Sequence, residues 1–132
     1  MRVTFRRPLV LVLLVGALAL ATAASFSSTH GPGSREVVLV ARGMAYYLEG
    51  DSAPNPVIRL RAGERVRLTL RNEAPGFVHD LAVASMGVNV GPLASGEQQS
   101  ATFTAPAASG RHEYVCRPHA VMMRGWIEVA SP

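Results

Sequence analysis

A single cysteine, Cys116, serves all 132 residues. A lone thiol cannot close an internal disulfide, so no such bridge staples this chain. Histidine is scarce as well, with four residues at positions 30, 79, 112 and 119. Lysine is absent, which leaves arginine to carry every basic side-chain charge but points to no chemistry by itself. After the first 24 residues no segment sustains a 3.6-residue apolar period, which excludes a helical bundle. No internal repeat or low-complexity tract is present, so solenoids are excluded too.

The longest apolar run is at the start. Met1 to Arg7 carries three arginines, Leu9 to Ala24 is apolar apart from one threonine, and Ala21-Thr22-Ala23 has the small-residue spacing of a cleavage site. That pattern is a secretory leader. As a helix the sixteen residues from Leu9 to Ala24 reach about 24 Å, short of the ~30 Å hydrocarbon core, so residues 1–24 are expected to be a signal peptide or, if uncleaved, an N-terminal anchor helix. The cysteine lies too far away for lipid attachment at the cleavage point. The expected destination is the bacterial periplasm or the outer face of the cytoplasmic membrane. Residues 25–36, rich in Ser, Gly and Thr, read as a flexible lead-in, and residues 37–132 as the folded domain.

Export changes the meaning of the charge. The formal net charge of +4 includes Arg2, Arg6 and Arg7, and without them ten arginines face nine acids. Near-neutrality argues against a nucleic-acid partner. Arg59, Arg61, Arg65, Arg67 and Arg71 alternate with apolar residues, as on the solvated face of a sheet. Short strands are expected over Val37–Val40, which Met44–Leu48 extends after a break at Gly43, and over Val57–Leu60, Arg65–Arg71, His79–Val83, Gln98–Thr104, Arg111–Cys116 and Trp126–Val129. Residues Ser85–Gly96 read as a long connection, and Trp126 is expected to bury against the sheet. About seven short strands with turns every ten residues or so indicate an antiparallel sandwich or barrel.

Chemistry concentrates in the run Tyr114-Val115-Cys116-Arg117-Pro118-His119-Ala120-Val121-Met122-Met123-Arg124-Gly125. An unpaired exported thiol is free to pair between molecules, to sit inert in a core, or to bind metal. Its company favours metal: an imidazole follows three residues later, two thioethers follow that, and His79 on an upstream strand supplies a second imidazole. Two histidines, one cysteine and a weak axial thioether form the ligand set of blue-copper centres. Pro118, with fixed φ and no amide donor, stiffens the turn between Cys116 and His119. Met122 and Met123 are adjacent and point to opposite sides of an extended chain, so one of them reaches the metal. Met123 is favoured.

The stretch Tyr114 to Gly125 resembles the ligand loop of the plastocyanin/azurin family of small blue-copper proteins, the cupredoxins. There a cysteine is followed by a short spacer with Pro, a histidine, a second spacer, and Met-x-Gly. The Met123-Arg124-Gly125 ending supports Met123 over Met122, and Asn72 to Asp80 is similar to the family's first-ligand segment. The resemblance implies an all-β Greek-key antiparallel β-sandwich. It implies one type 1 copper held by His79, Cys116, His119 and Met123. It also implies one-electron transfer between a donor and an acceptor protein, by a monomer, through the His119 edge in an apolar patch. One departure stands out. The family's Asn after the first histidine and Ser or Thr after the cysteine are here Asp80 and Arg117, which are expected to pair as an ionic brace.

Two other functions compete. Multicopper enzymes need further histidine clusters and a binuclear copper centre needs a second cysteine, and this sequence has neither, so no enzyme is expected. An exported copper-binding or delivery protein would use the same ligands in an open, exchangeable site.

Overall fold

A computed structural model describes residues 33–131. The leader expected over residues 1–24, most of the lead-in, and His30 lie outside them. Nine strands form: β1 Arg35–Arg42, β2 Ala45–Leu48, β3 Val57–Arg61, β4 Arg65–Asn72, β5 His79–Val83, β6 Val88–Leu93, β7 Gln98–Thr104, β8 Gly110–Val115 and β9 Arg124–Ala130. One sheet runs β2-β1-β4-β7 and the other β3-β9-β8-β5-β6, stacked as an all-β sandwich. Single-turn 3-10 helices occupy Ala84–Met86 and Arg117–His119.

Period-two patterning builds the layers. Val66, Leu68 and Leu70 of β4 and Ile58 and Leu60 of β3 are buried, while Arg59, Arg61, Arg65 and Arg67 project to solvent. Each fully buried Leu or Ile contributes about 1.5–3 kcal/mol of apolar burial. The arginines form exposed ladders with acids across the strands, such as Arg59–Glu128 at 3.6 Å and Arg67–Glu36 at 3.7 Å. Exposed pairs of this kind stabilise by about 1 kcal/mol at most.

Three expectations need correction. The sandwich is not wholly antiparallel, because β1 pairs with β4 and β3 with β9 in parallel. The chain passes between sheets after β2, β3, β4, β6 and β7, and strands joined that way need not reverse direction as hairpin partners must. Residues 85–96 are not merely a connection. Val88, Val90 and Leu93 are buried in β6, and Gly91-Pro92 interrupts the alternation that would have revealed it. Proline is tolerated there because β6 is an edge strand. Trp126 does not enter the core. Gly125, Ile127 and Val129 take the inward parity of β9, so Trp126 lies half-buried outside, with the Arg111 guanidinium 4.4 Å from its ring centroid.

β6 also shapes the strand that carries His79. Its register slips against β5 between His79 and Leu81, and Gly91 (φ +93°) sits against that irregularity. A Cβ there would lie 3.1 Å from the Asp80 Cα and from the His79 carbonyl oxygen. All five residues of β5 are buried, and β5 meets β8 through a single bridge, Ala82 to Val115. Beyond that bridge the strands separate and the metal centre begins.

Candidate metal centre

Cys116 leaves β8 and enters a tight turn that closes on itself. The His119 N–H donates to the Cys116 carbonyl (3.0 Å), the Met122 and Met123 N–H groups both donate to the His119 carbonyl (3.0 and 2.9 Å), and the Cys116 N–H donates to the Met123 carbonyl (2.9 Å). This helical turn, rather than an extended stretch, separates the two methionines. Met123 is 0 % exposed and packs in the core, whereas Met122 is 53 % exposed.

The turn brings Cys116 and His119 to His79. The Cys116 Sγ lies 3.7 Å from His79 Nδ1 and 3.5 Å from His119 Nδ1, and the three donor atoms all fall within 4.8 Å of one another. First-row ions such as zinc bind thiolate at about 2.3 Å and imidazole at about 2.0 Å, so two such donors 120° apart sit about 3.7 Å from each other. The sulfur–nitrogen separations fit a trigonal ion between them. The donor chemistry, one soft thiolate and two imidazoles beside a buried thioether, fits copper.

Protonation states suit ligation in part. Burial pushes the His79 pKa below its ordinary value, and the neighbouring His119 pushes the same way, against the Gly43 carbonyl and Asp80. The ring is therefore neutral and ready to bind. Burial pushes the Cys116 thiol up, so the sulfur must lose a proton when metal enters.

Residues around the donors hold them. The Asp80 carboxylate accepts the Arg117 N–H at 2.8 Å and the Arg117 Nε–H at 2.7 Å, which is the ionic brace expected between the two ligand segments. Tyr46 is fully buried and donates its hydroxyl to the Asp80 carbonyl. Its ring meets Tyr114 edge-on at 5.5 Å. The Tyr114 hydroxyl donates to the Pro56 carbonyl at 2.6 Å, and it passes over Gly125, where a Cβ would lie 2.2 Å from the phenol oxygen. That is the physical reason for glycine at the end of Met-x-Gly.

Sequence reasoning placed Asn72 only at the start of the segment leading to His79 and missed its role there. Fully buried, it donates from Nδ2 to the Phe77 and Leu93 carbonyls (2.8 and 2.9 Å) and accepts the Ala74 N–H at Oδ1 (2.9 Å). It thus organises the loop that delivers His79. An asparagine closing an apolar strand just before a Pro-Gly turn is the one local cue. The fourth histidine, His112, belongs elsewhere, with its Nδ1 2.9 Å from the Ser85 hydroxyl.

His119 is the half-buried member of the donor set. Phe77 stands edge-on to its ring at 6.3 Å, and Phe77, Val78, Val121 and Met122 are the exposed large apolar side chains among the described residues.

Residues 58–130 match the family described as copper binding proteins, plastocyanin/azurin family, and the chain belongs to that family. Its cofactor is copper, in a type 1 centre of the two-histidine, cysteine and methionine kind. No curated protein sequence matches the chain. Among solved structures it is similar to rusticyanin from Thiobacillus ferrooxidans, at 22% identity over 74% of this chain and 78% of that one, with a TM-score of 0.59. It is also similar to auracyanin from Roseiflexus castenholzii, at 18% identity over 74% and 98%, again with a TM-score of 0.59. A copper-containing nitrite reductase from Thermus scotoductus matches at 23% identity and a TM-score of 0.61, over 74% of this chain but 28% of that one. At these identities the likeness is one of fold.

Proposed function

We propose that the protein is an exported type 1 copper protein that carries single electrons between redox proteins. His79, Cys116, His119 and Met123 would hold the ion. The copper supplies a one-electron couple. The chain binds it through two neutral imidazoles and a deprotonated sulfur, and keeps water from it by burial.

The observation that carries this reading is the closure of the site. His79, Cys116 and Met123 are each 0 % exposed, and His119 alone is half-buried. A closed site leaves no position for a substrate to bind, and ligands fixed by the surrounding packing limit rearrangement between oxidation states. The His119 edge is then the route for electrons, and the apolar patch around it is the contact surface for donor and acceptor. Closure also weighs against the delivery reading, which calls for easy exchange.

Residues 1–24 are read as an export signal peptide or an uncleaved anchor, which would put the protein, as a monomer, in the periplasm or on the outer face of the cytoplasmic membrane. Fractionation of cells expressing the full chain tests that placement.

An absorption spectrum of the copper-loaded protein tests the main reading. An intense visible band from sulfur-to-copper charge transfer is expected, with reversible loss on one-electron reduction. A colourless protein that yields its copper rapidly to a chelator supports delivery instead.

A further inference from the structure

Outside the donor set, one residue touches the ligand loop from a distant part of the chain. Asn55, in the connection between β2 and β3, has φ +50°, a left-handed conformation that asparagine tolerates better than most residues. Its backbone N–H donates to the Tyr46 carbonyl at 2.7 Å. Its side-chain Oδ1 accepts the Tyr46 N–H at 3.1 Å, and its Nδ2 donates to the Met122 carbonyl at 2.9 Å. The next residue, Pro56, accepts the Tyr114 hydroxyl. One turn therefore grips the ligand loop on both sides, at Tyr114 two residues before Cys116 and at Met122 one residue before Met123.

We infer that Asn55 is a positioning residue for the axial ligand, its amide fixing the Met122–Met123 peptide and hence where the Met123 sulfur can reach. The inference rests on the copper reading above. The Tyr46 N–H on Oδ1 limits rotation of the amide, and the Asn55 N–H on the Tyr46 carbonyl holds the backbone beneath it, so its hold on the Met122 carbonyl is stiff. The N–H of the Met122–Met123 peptide is held by the His119 carbonyl, and Asn55 holds its other side, the Met122 carbonyl. The Met122 side chain is in solvent, and Val121 before it is 87 % exposed. Without Asn55 the strands on either side still pair, since β8 and β9 are in register from Gly110 to Val115, but the tip of the loop is free to relax. An axial thioether that withdraws donates less to the ion and favours Cu(I).

Two variants separate this role from general stability. Asn55→Asp keeps an acceptor for the Tyr46 N–H and tolerates the backbone, but places a carboxylate against the Met122 carbonyl. Asn55→Gly keeps the backbone conformation and removes the side chain. In the copper-free protein, amide hydrogen exchange at Cys116 and Met123 should quicken at least about threefold in both variants, with the β4 amides unchanged. In the copper-loaded protein the reduction potential should rise, by an amount equal to about a threefold change in the Cu(I)/Cu(II) affinity ratio, about 30 mV for one electron.

Wild-type exchange at both amides, or uniform acceleration across the domain, overturns the inference. Faster exchange with an unchanged potential overturns the role at the metal. If the wild-type protein itself shows no charge-transfer band, the copper reading fails, and the exchange comparison still judges Asn55.

Discussion

Asp80 and Arg117 meet twice, once through the Arg117 backbone N–H and once through its guanidinium, each on a different oxygen of a carboxylate that is almost fully buried. The two residues directly follow His79 and Cys116. The contact therefore ties the two ligand segments together just where β5 and β8 have stopped pairing. Groups that orient ligands in this way typically change metal affinity 10–100-fold, roughly, when removed.

Asp80→Ala removes both contacts and should lower copper affinity by about 10–100-fold, measured by competition with a chelator. Asp80→Asn keeps one carbonyl oxygen for the Arg117 N–H and should fall between Ala and wild type. Equal affinity and potential in all three proteins would mean that the pair is only a surface contact.

The two methionines should separate cleanly. Met123→Leu removes a buried thioether and should shift the reduction potential and alter the visible spectrum, whereas Met122→Leu should leave both as they are. A shift confined to Met122→Leu would reverse the axial assignment.

Gly125→Ala forces a methyl group into the phenol of the fully buried Tyr114, so ring or backbone must shift. Overpacking of this kind costs about 1–3 kcal/mol, so the Tm of the copper-free protein should drop by several degrees. Tyr114→Phe leaves the buried Pro56 carbonyl without its donor and should cost about 1–3 kcal/mol through that loss. An unchanged Tm in both variants would remove Tyr114 from the account of how the loop is held.

Proton linkage gives a pH dependence with a definite sign. His79 is held below its ordinary value of 6.5, so the unfolded chain takes up a proton first as pH falls. Its contribution to copper-free stability is complete above about 6.5 and is lost as pH drops through the folded value. Cys116 is pushed above its ordinary value of 9.0, so its contribution is complete below about 9 and is lost as pH rises through the folded value. Near neutrality the thiol is protonated and His79 is not. Copper uptake should then release one proton from Cys116, with affinity rising about tenfold per pH unit. Calorimetry in buffers of different ionisation enthalpy counts that proton, and a count of zero contradicts a thiolate ligand.

Much of the site was legible before any coordinates, because its donors are chemically rare and three of them sit in one loop. Met123 could be favoured over Met122, although the reason was incomplete. The separation comes from a helical turn closed on the His119 carbonyl, which spacing alone does not display. The strands with clean alternation, β3, β4 and β7, were also readable. β6 was not, since Gly91-Pro92 breaks its pattern and its partner is known only after folding. Trp126 was misplaced because its size suggested the core while its parity on β9 sets it outside. Tyr46, Asn55 and Asn72 act through contacts to backbone 5 to 67 residues away, and polar residues that work at such range leave little local mark.

β1 runs from Arg35, beside Val66, to Ala41, beside Asn72 at the His79 loop, and β9 runs away from the ligand loop, Arg124 opposite Val115 and Val129 opposite Gly110. Both ends of the domain thus emerge at the pole farthest from His119. A tether at either terminus, whether a natural anchor, a fusion partner or an electrode linker, would hold the molecule by its base and leave the His119 tip pointing outward.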